Sequence, residues 1–229
     1  MPTEDKLRLT NLDKPFWPKL GITKGDLIDY YRSVDKFILP YLKDRPHSLL
    51  RHPDGFAGQS FFQKDIGDMA PDWIKTIKRD IESSGERIDY LVCEDLDSLL
   101  YMVQLGCIEI SPWNSRVGKL DKPDWLVIDL DPEGVGFEEV IKTARAAKTV
   151  FDELKVSAYP KTSGKTGIHI FIPLGAEYTY ERVRTAAEVL ADLINQRLPE
   201  ITSLERHPQK RRGKVYIDYL QNSEGQTLA

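Results

Sequence analysis

The stretch DWLVIDLDP, residues 124–132, decides the fold class because it places two acidic residues inside a buried-strand pattern. Its large apolar residues favour a strand, and Pro132 ends it. Side chains two positions apart on a strand point to the same face, so Asp129 and Asp131 are expected side by side. Two carboxylates at that spacing destabilise a fold unless a cation or a proton lies between them. The pair therefore indicates a metal site, whereas a single aspartate at a strand end would be an ordinary cap or turn residue.

The composition is that of an ordinary globular protein. The chain has 229 residues, of which 41% are hydrophobic and 30% charged, enough for one large domain or two small lobes. No apolar run approaches the roughly 20 residues that span a bilayer, and the polar start does not resemble a signal peptide. Cys93 and Cys107 lack a C-x-x-C partner, which argues against a zinc site and a disulfide framework. These features predict a cytoplasmic protein without a membrane partner.

The charge distribution is uneven. A net charge of −4 does not by itself indicate nucleic-acid binding. However, the segment ERHPQKRRGK, residues 205–214, carries five lysines or arginines and one histidine just before an apolar strand. Such a run is either a solvated loop or, beside a metal site, a contact for phosphate groups.

The remaining patterns predict an α+β fold. Helical spacing of apolar residues predicts helices in KGDLIDYYRSVDKFILPYL, LDSLLYMVQLG, FEEVIKTARAAKTVFDELK and YERVRTAAEVLADLINQRL. A capping box of Thr23 and Asp26 precedes the first of them. Strands are predicted in HSLLRHP, SFFQK, ERIDYLVCE, CIEISPW, DWLVIDLDP, GKVYIDYLQ and both halves of VSAYPKTSGKTGIHIFIPL, and a helical turn in APDWIKTI. Because strands and helices do not alternate regularly, we expect mostly antiparallel sheets.

The segment SGKTGIH, residues 163–169, contains Gly-Lys-Thr but lacks the spacing of a P-loop, since Tyr159 stands where the first glycine belongs and a strand follows. It predicts instead a turn with exposed backbone N–H groups. Ser163 and Lys165 in the turn, and His169 on the next strand, are donors of the kind that bind a polyphosphate. A histidine on a strand is equally often a core residue, so His169 has two interpretations.

A third carboxylate, Asp218, alternates with apolar residues in VYIDYL and therefore faces away from them. Together with Asp129 and Asp131 it could hold two divalent cations about 3.5 to 4 Å apart. Oxygen ligands favour Mg²⁺ or Mn²⁺ over Zn²⁺. Two such cations beside a triphosphate-binding turn are typical of nucleotidyl transfer.

The order of these motifs, D-x-D, then S-G-x-x-G-x-H, then a strand aspartate, resembles the pattern of the archaeo-eukaryotic primase superfamily. More narrowly, LTNLDKPFWPKLGITKGDLIDYY, SFFQK, DWLVIDLDP, TSGKTGIHIFIPL and GKVYIDYLQN resemble the polymerase domain of bacterial ligase D (LigD) and its stand-alone archaeal relatives, which act in non-homologous end joining. The resemblance extends over nearly all of the chain from about Leu9 onward.

The resemblance implies a primase-polymerase fold, with sheets flanked by helices and an active site between two sheets. Residues 1–229 would form a single polymerase domain that lacks its C-terminal portion, because the domain of the relatives continues beyond the position of Ala229. The implied activity is primer extension at DNA ends, both template-dependent and terminal, with a preference for ribonucleotides. The implied partners are DNA ends with a 5′-phosphate, template–primer DNA, nucleoside triphosphates, Ku and an ATP-dependent DNA ligase, in a nucleoid-associated setting.

The resemblance also implies roles for the acidic and donor residues. Asp129, Asp131 and Asp218 match the ligands of two Mn²⁺ or Mg²⁺ ions and so the catalytic carboxylates. Ser163 and His169 match the residues that hold the triphosphate of the incoming nucleotide, with Lys165 as a further donor between them.

Other matched residues belong to the DNA-binding parts of the family. Asn11, Lys14 and Lys24 match the pocket for the 5′-phosphate of a gapped or broken end, and Lys24 opens a helix whose N-terminal amides attract anions. Phe61 and Phe62 match aromatics that stack near the template base, although one of the two fits strand core equally well because alternate residues face opposite ways. Further predicted contacts with template or backbone phosphates are Lys64, Arg51, Arg212 and Lys214.

One departure and three alternatives remain. Ser111 stands where the relatives often have a histidine close to the nucleotide. A de novo or damage-tolerance primase shares the three motifs, but the NLDK and ITK segments and the lack of zinc ligands argue against it. A non-catalytic DNA-end-binding module of a ligase would not need all three aspartates. A metal-dependent nuclease would not need the donor-rich turn.

Overall fold

The computed structural model describes residues 6–81, 85–211 and 213–227. The chain separates into two compact units, one formed by residues 1–117 with 227–229 and the other by residues 118–226. Arg212 of the basic segment lies outside the described residues. The assignment of the whole chain to one polymerase domain stays a prediction.

The first unit is built on antiparallel strands. Its helices and strands in the described residues are β1 (Pro15–Trp17), β2 (Ile22–Thr23), α1 (Lys24–Leu42), β3 (Arg45–Arg51), β4 (Phe61–Gln63), β5 (Thr76–Ile81), β6 (Glu86–Cys93), α2 (Leu96–Gln104) and β7 (Cys107–Pro112). Strands β1 and β2 form a hairpin. The larger sheet has the order β4-β3-β6-β5, and β7 also pairs with β3.

Both helices of this unit begin at a capping box. At α1 the Thr23 hydroxyl accepts a hydrogen bond from the amide of Asp26, whose carboxylate accepts one from the Thr23 amide, as the sequence predicts. At α2 Asp95 and Ser98 exchange the corresponding bonds. The two helices and the sheet enclose one core. Its most deeply buried members include Ile28, Leu49, Leu91, Leu99, Met102 and Val103.

The second unit contains the acidic stretch at the centre of its sheet. Its helices and strands in the described residues are β8 (Trp125–Glu133), α3 (Phe137–Glu153), β9 (Tyr159–Thr162), β10 (Ile168–Pro173), α4 (Tyr180–Arg197), β11 (Thr202–Ser203), α5 (Pro208–Arg211) and β12 (Lys214–Asp218). The strand order is β11-β12-β8-β10-β9. Only the β11–β12 pair is parallel among the described strands, so the predicted α+β class with mostly antiparallel sheets is confirmed.

Strand β8 has one apolar face and one acidic face. Its apolar residues pack with those of β10 and β12 against α3 and α4, which cover that side of the sheet. Asp129 and Asp131 occupy the alternate positions and point to the other side, as predicted. Helices α3 and α4 therefore cover one side of the sheet, and the two aspartates lie on the other side. The buried residues of β8 on the helix side are Leu126, Ile128 and Leu130.

Some elements differ from the sequence prediction. The segment APDWIKTI does not form a helical turn, because its last residues enter β5, and the nearby 3₁₀ turn is Gly67–Met69. Strand β5 lies at the edge of its sheet, which explains why charged residues dominate it and hide the strand pattern. The β1–β2 hairpin and helix α5 were not indicated by periodicity. Among the described residues, no helix is both long and apolar enough to cross a membrane.

Candidate functional site

A row of four polar residues runs across the face of the second sheet that α3 and α4 do not cover. Asp129 of β8 lies directly opposite Asp218 of β12 on one side and opposite His169 of β10 on the other. His169 in turn lies opposite Lys161 of β9. Residues directly opposite each other on paired strands point to the same face. Strand pairing thus brings together groups that are far apart in the sequence.

Two residues further along β8, Asp131 lies on the same face as Asp129. Asp131 is exposed and lies opposite Tyr216 of β12. The structure therefore places Asp129, Asp131 and Asp218 on one face, as the strand pattern predicts.

The carboxylates raise the proton affinity of the central aspartate. Burial, followed by the charges of Asp131 and Asp218, raises the pKa of Asp129 to about 7, and the ammonium of Lys161 only partly opposes this. The part of this shift that comes from Asp131 and Asp218 is charge repulsion, which a cation bound among the carboxylates would relieve.

Hydrogen bonds already hold Asp218 in place. Its Oδ1 accepts from the amide of Leu220 (2.7 Å) and from Tyr216 Oη (3.4 Å), and its Oδ2 accepts from Gln221 Nε2 (3.2 Å). In the part of the chain that the structure describes, no group of three or more His, Cys, Asp or Glu side chains stands in an arrangement that could hold a metal ion. The three-aspartate metal site therefore stays a prediction, which rests on the shared face and the chemistry of the donors.

His169 is buried next to the acidic cluster. Its Nε2 lies 3.6 Å from Asp129 Oδ1. Burial, and then the charge of Lys161, lowers the pKa of His169 to about 4, so the ring is neutral at neutral pH. Its Nδ1 is buried and has no hydrogen-bond partner within the described residues. A buried nitrogen without a partner is costly in a purely structural histidine. Because His47 has the same feature, the ligand-binding role of His169 stays a prediction.

The turn before β10 is shaped by Ser163 and Gly167. The Ser163 hydroxyl accepts hydrogen bonds from the amides of Gly167 (2.9 Å) and Lys165 (3.3 Å). A hydroxyl has two acceptor lone pairs and one proton, so the proton remains available to a phosphate oxygen. A Cβ on Gly167 would lie 2.5 Å from the carbonyl oxygen of Leu130, which explains the glycine. The side chain of Lys165 is exposed.

The basic segment is only partly a solvated loop. Arg211 at the end of α5 is buried, with its guanidinium carbon 3.6 Å from the centre of the Tyr216 ring. It donates to the carbonyls of Glu205 (2.9 Å) and Arg206 (2.7 Å), so it fixes the segment against β12. The Nζ of Lys214, a predicted DNA contact, donates to a backbone carbonyl 2.6 Å away.

In the first unit, the residues predicted to bind a 5′-phosphate converge at the start of α1. Asn11 has a positive φ of 55°, and its carbonyl accepts from the amide of Lys14 in a tight turn. Lys24 is buried, and its Nζ donates to the carbonyl of Thr10 (3.1 Å). Burial, and then the nearby charge of Lys14, lowers the pKa of Lys24 to about 8. The charge of Lys14 thus adds to burial in disfavouring the ammonium form of Lys24.

The N-terminus of α1 does not contribute free amides to this pocket, and that part of the prediction is wrong. The amide of Lys24 donates to the carbonyl of Lys14 (2.9 Å). The amide of Gly25 donates to the carbonyl of Leu12 (2.8 Å), and the next amide donates to the N-cap hydroxyl. An anion would therefore be bound by side chains. One of these, Lys14, is also 2.8 Å from Asp54 Oδ1 in an ion pair that the sequence did not indicate.

The two phenylalanines of β4 are both exposed, Phe61 by 47% and Phe62 by 65%, so neither is strand core. The expectation that one of the two rings would be buried, because alternate residues face opposite ways, fails because β4 is a three-residue edge strand. Arg51 lies opposite Phe61, with its guanidinium carbon 5.2 Å from the ring centre. It also donates to Leu105 O and Gln63 Oε1, both at 2.8 Å, which gives it a structural role. Lys64, another predicted DNA contact, is exposed. Ser111, which stands where the relatives often have a histidine, is buried in β7.

Comparison with known proteins decides the family. Residues 23–229 match the model of the LigD primase-polymerase domain. The chain belongs to this family. It is 36% identical over 229 residues to the bifunctional non-homologous end joining protein LigD of Bacillus subtilis, an alignment that covers 99% of this chain and 36% of that protein. It is 29% identical to the multifunctional non-homologous end joining protein LigD of Mycolicibacterium smegmatis, over 99% of this chain and 30% of that protein.

The fold of the LigD polymerase domain is also found in this chain. The polymerase domain from Mycobacterium tuberculosis ligase D, solved in complex with DNA, superposes with a TM-score of 0.89 at 28% identity. The match covers 97% of this chain and 80% of that chain. The predicted membership and fold class are thus confirmed. The chain spans about a third of the length of the curated LigD proteins that it matches.

Sequence reasoning missed some residues at the two sites of this LigD-family chain. Lys161 joins the polar row because it lies opposite His169. The sequence could have indicated this, since Lys161 is two residues before Ser163 and residues two apart on a strand share a face. Tyr216 and Asp54 were missed because their contacts depend on strand register and loop packing.

Proposed function

We propose that this chain is a nucleotidyltransferase that extends primers at DNA ends in non-homologous end joining, by template-dependent and terminal addition and with a preference for ribonucleotides. Membership of the LigD primase-polymerase family supports the activity. The observation that carries the proposal is the polar row on β12, β8, β10 and β9, on the face away from α3 and α4. It brings acidic groups and donors side by side, as polymerisation requires.

The acidic end of the row would hold two divalent cations. Asp129, Asp131 and Asp218 offer only hard oxygen donors, so the donor set fits Mg²⁺ or Mn²⁺. After burial, the charges of Asp131 and Asp218 help to raise the pKa of Asp129, and a bound cation would oppose this effect. When bound, such cations would activate a 3′-hydroxyl and neutralise the pyrophosphate that leaves. Tyr216 and the turn after β12 hold the Asp218 carboxylate in a fixed orientation.

The other end of the row would bind the triphosphate. The neutral ring of His169 offers one N–H, Ser163 offers its hydroxyl proton, and Lys165 offers an exposed ammonium. Lys161 is close enough to His169 and Asp129 to affect the pKa values of both. These donors give orientation and charge to an anionic nucleotide without a P-loop.

The Asn11, Lys14 and Lys24 cluster of the first unit would bind the 5′-phosphate of a downstream strand. A terminal phosphate carries nearly two charges at neutral pH and an internal one carries a single charge. Two ammonium groups favour the dianion. Burial and then the charge of Lys14 lower the pKa of Lys24, and a bound dianion would oppose both effects. Template stacking by the exposed rings of Phe61 and Phe62, recruitment by Ku and cooperation with an ATP-dependent ligase belong to the same proposal.

The test is primer extension on a gapped duplex with a 5′-phosphate, with ribonucleotides and deoxynucleotides compared. Extension that is faster with ribonucleotides, depends on Mg²⁺ or Mn²⁺ and improves with the 5′-phosphate is expected. A de novo priming assay on single-stranded DNA is run in parallel. Efficient priming without a primer, together with no response to the 5′-phosphate, would favour the general primase function instead.

A lysine double variant isolates the end-binding part of the proposal. Lys14→Ala with Lys24→Ala is expected to remove about 1.5 to 3 kcal/mol of preference for a phosphorylated over a hydroxyl end, as for hydrogen bonds to charged groups. Extension of a simple primer should survive. Lys19→Ala with Lys43→Ala is the matched control, since both residues are exposed in the same unit. Binding is measured at one fixed salt concentration, because such contacts are screened.

A further inference from the structure

A cleft of about 730 Å³ opens on the second unit, where α3 overhangs the sheet beside β9. This volume is in the range of about 300 to 1,000 Å³ that is typical of ligand-binding pockets. One side is a single face of α3 and the other is formed by β9 and β10. None of the proposed polymerase residues lines it. Its apolar lining residues are Ile141, Ala144, Phe151, Val156, Ile168 and Ile170.

The strand that borders the cleft has an open edge. Strand β9 is the last strand of its sheet among the described residues. The amide of Ser163 donates to the carbonyl of Gly167 (3.0 Å), which makes that pair hydrogen-bonded. Because hydrogen-bonded and non-hydrogen-bonded pairs alternate, the backbone groups of Thr162 and the carbonyl of Pro160 point outward along the edge. The backbone nitrogen of Pro160 also points outward, so its missing N–H removes no hydrogen bond to β10, as expected for proline on an edge strand.

The geometry of the cleft matches a missing sixth strand. Paired strands lie about 4.8 Å apart, and alternate side chains of a strand point to the same face. A strand added beside β9 would therefore place every second side chain beneath α3, in the apolar cleft. The outward groups of Thr162 and Pro160 would supply its backbone hydrogen bonds.

The rim of the cleft is positively charged. Three exposed basic residues line the cleft: Arg145 and Lys148 on α3, and Lys155 just after it. Asp152 is the acidic lining residue. Lys148 is paired with Asp152. Among the described residues, the side chains of Arg145 and Lys155 have no ion-pair partner, so two cations remain unneutralised. Charge complementarity thus calls for an acidic occupant.

We propose that this cleft binds an acidic, extended peptide segment of a partner protein, which adds to the edge of β9 as a sixth strand. Its apolar side chains would occupy the space beneath α3, and its Asp or Glu side chains would pair with Arg145 and Lys155. The site lies outside the proposed polymerase residues, so it stands or falls independently of the proposed function.

The probe is a library of short random peptides displayed on phage and selected on the whole protein. Enriched sequences are expected to alternate apolar residues with Asp or Glu. A synthetic copy of an enriched sequence is then measured by fluorescence anisotropy at fixed salt. Arg145→Glu with Lys155→Glu should weaken its binding about tenfold or more, the sum of two lost and reversed exposed ion pairs. Arg182→Glu with Lys119→Glu, the same charge change at exposed positions outside the cleft, should leave binding unchanged.

A second readout reports the backbone contact directly. Amide hydrogen exchange at Thr162 should slow when the peptide binds, because its outward N–H becomes hydrogen-bonded. The proposal is overturned if selection yields no acidic binder, if the charge-reversed variant binds as well as wild type, or if Thr162 exchange is unaffected. Displacement of the peptide by a single-stranded oligonucleotide would show that the cleft binds nucleic acid, and this result would also overturn the proposal. Thermal melting of each variant confirms that it folds.

Discussion

Lys24→Met tests whether Lys24 is held charged against its surroundings in order to bind an anion. The methionine keeps the length and apolar character of the lysine stem and removes the ammonium. We expect the variant to be more stable than wild type at pH 7 and, at the same time, to have lost its preference for a 5′-phosphorylated DNA end. A purely structural lysine would show the opposite change in stability.

The size of the effect follows from the pKa of Lys24. Folding lowers it from 10.5 to about 8 through burial and the charge of Lys14. Each tenfold change in proton affinity is worth about 1.4 kcal/mol, so keeping the ammonium charged at neutral pH costs at most about 3 kcal/mol. Solvent screening, and the hydrogen bond to Thr10 O that methionine cannot make, reduce the expected gain to about 1 to 2 kcal/mol.

The sign of the pH dependence gives an independent check. Between about pH 8 and 10.5 the unfolded chain binds more protons at Lys24 than the folded chain, so wild-type stability rises with pH in this window. The advantage of the variant is therefore full below about pH 8 and shrinks as the pH approaches 10.5. Urea unfolding at pH 7 and near pH 10 measures it. Lys14→Met, at a more exposed site, is the control and should change stability by less than about 0.5 kcal/mol. A variant destabilised at pH 7 by more than about 1 kcal/mol would refute the reasoning.

Three further predictions concern the second unit. Asp129→Ala should abolish nucleotide addition and leave DNA binding nearly intact. Extension at more than a few per cent of the wild-type rate, which means an activation barrier raised by less than about 2 kcal/mol, would contradict its role. His169→Ala should weaken nucleotide binding more than DNA binding, and a change in melting temperature alone would make it a core residue. Gly167→Ala should lower the free energy of unfolding by about 2 to 3 kcal/mol, because its Cβ would lie 2.5 Å from Leu130 O. Gly164→Ala, with a φ of 90° and no atom within 4 Å, should cost only about 1 kcal/mol, and equal losses would contradict the steric argument.

The acidic face was predictable because it depends on local periodicity. Alternation along β8 fixes which side Asp129 and Asp131 face, and the alternation of β12 does the same for Asp218. The four strong helices were predictable for the same reason, since each has a continuous apolar stripe of helical period.

Features that depend on long-range register were not predictable. No local pattern states that Asp129 stands between Asp218 and His169, because that depends on which strands pair and at what offset. The occupied amides of α1 depend on where the preceding loop folds back, and so they contradicted an expectation based on the helix alone. The exposure of Phe61 depends on the position of β4 at the edge of its sheet, which alternation does not report.

The second sheet has one face packed against α3 and α4 and another that carries the polar row, so stability and the proposed chemistry depend on different sets of residues. We expect substitutions among the buried residues beneath α3 and α4 to alter thermal tolerance and substitutions on the polar row to alter activity. Directed evolution that is confined to the helix side should yield heat-resistant enzymes with unchanged nucleotide choice.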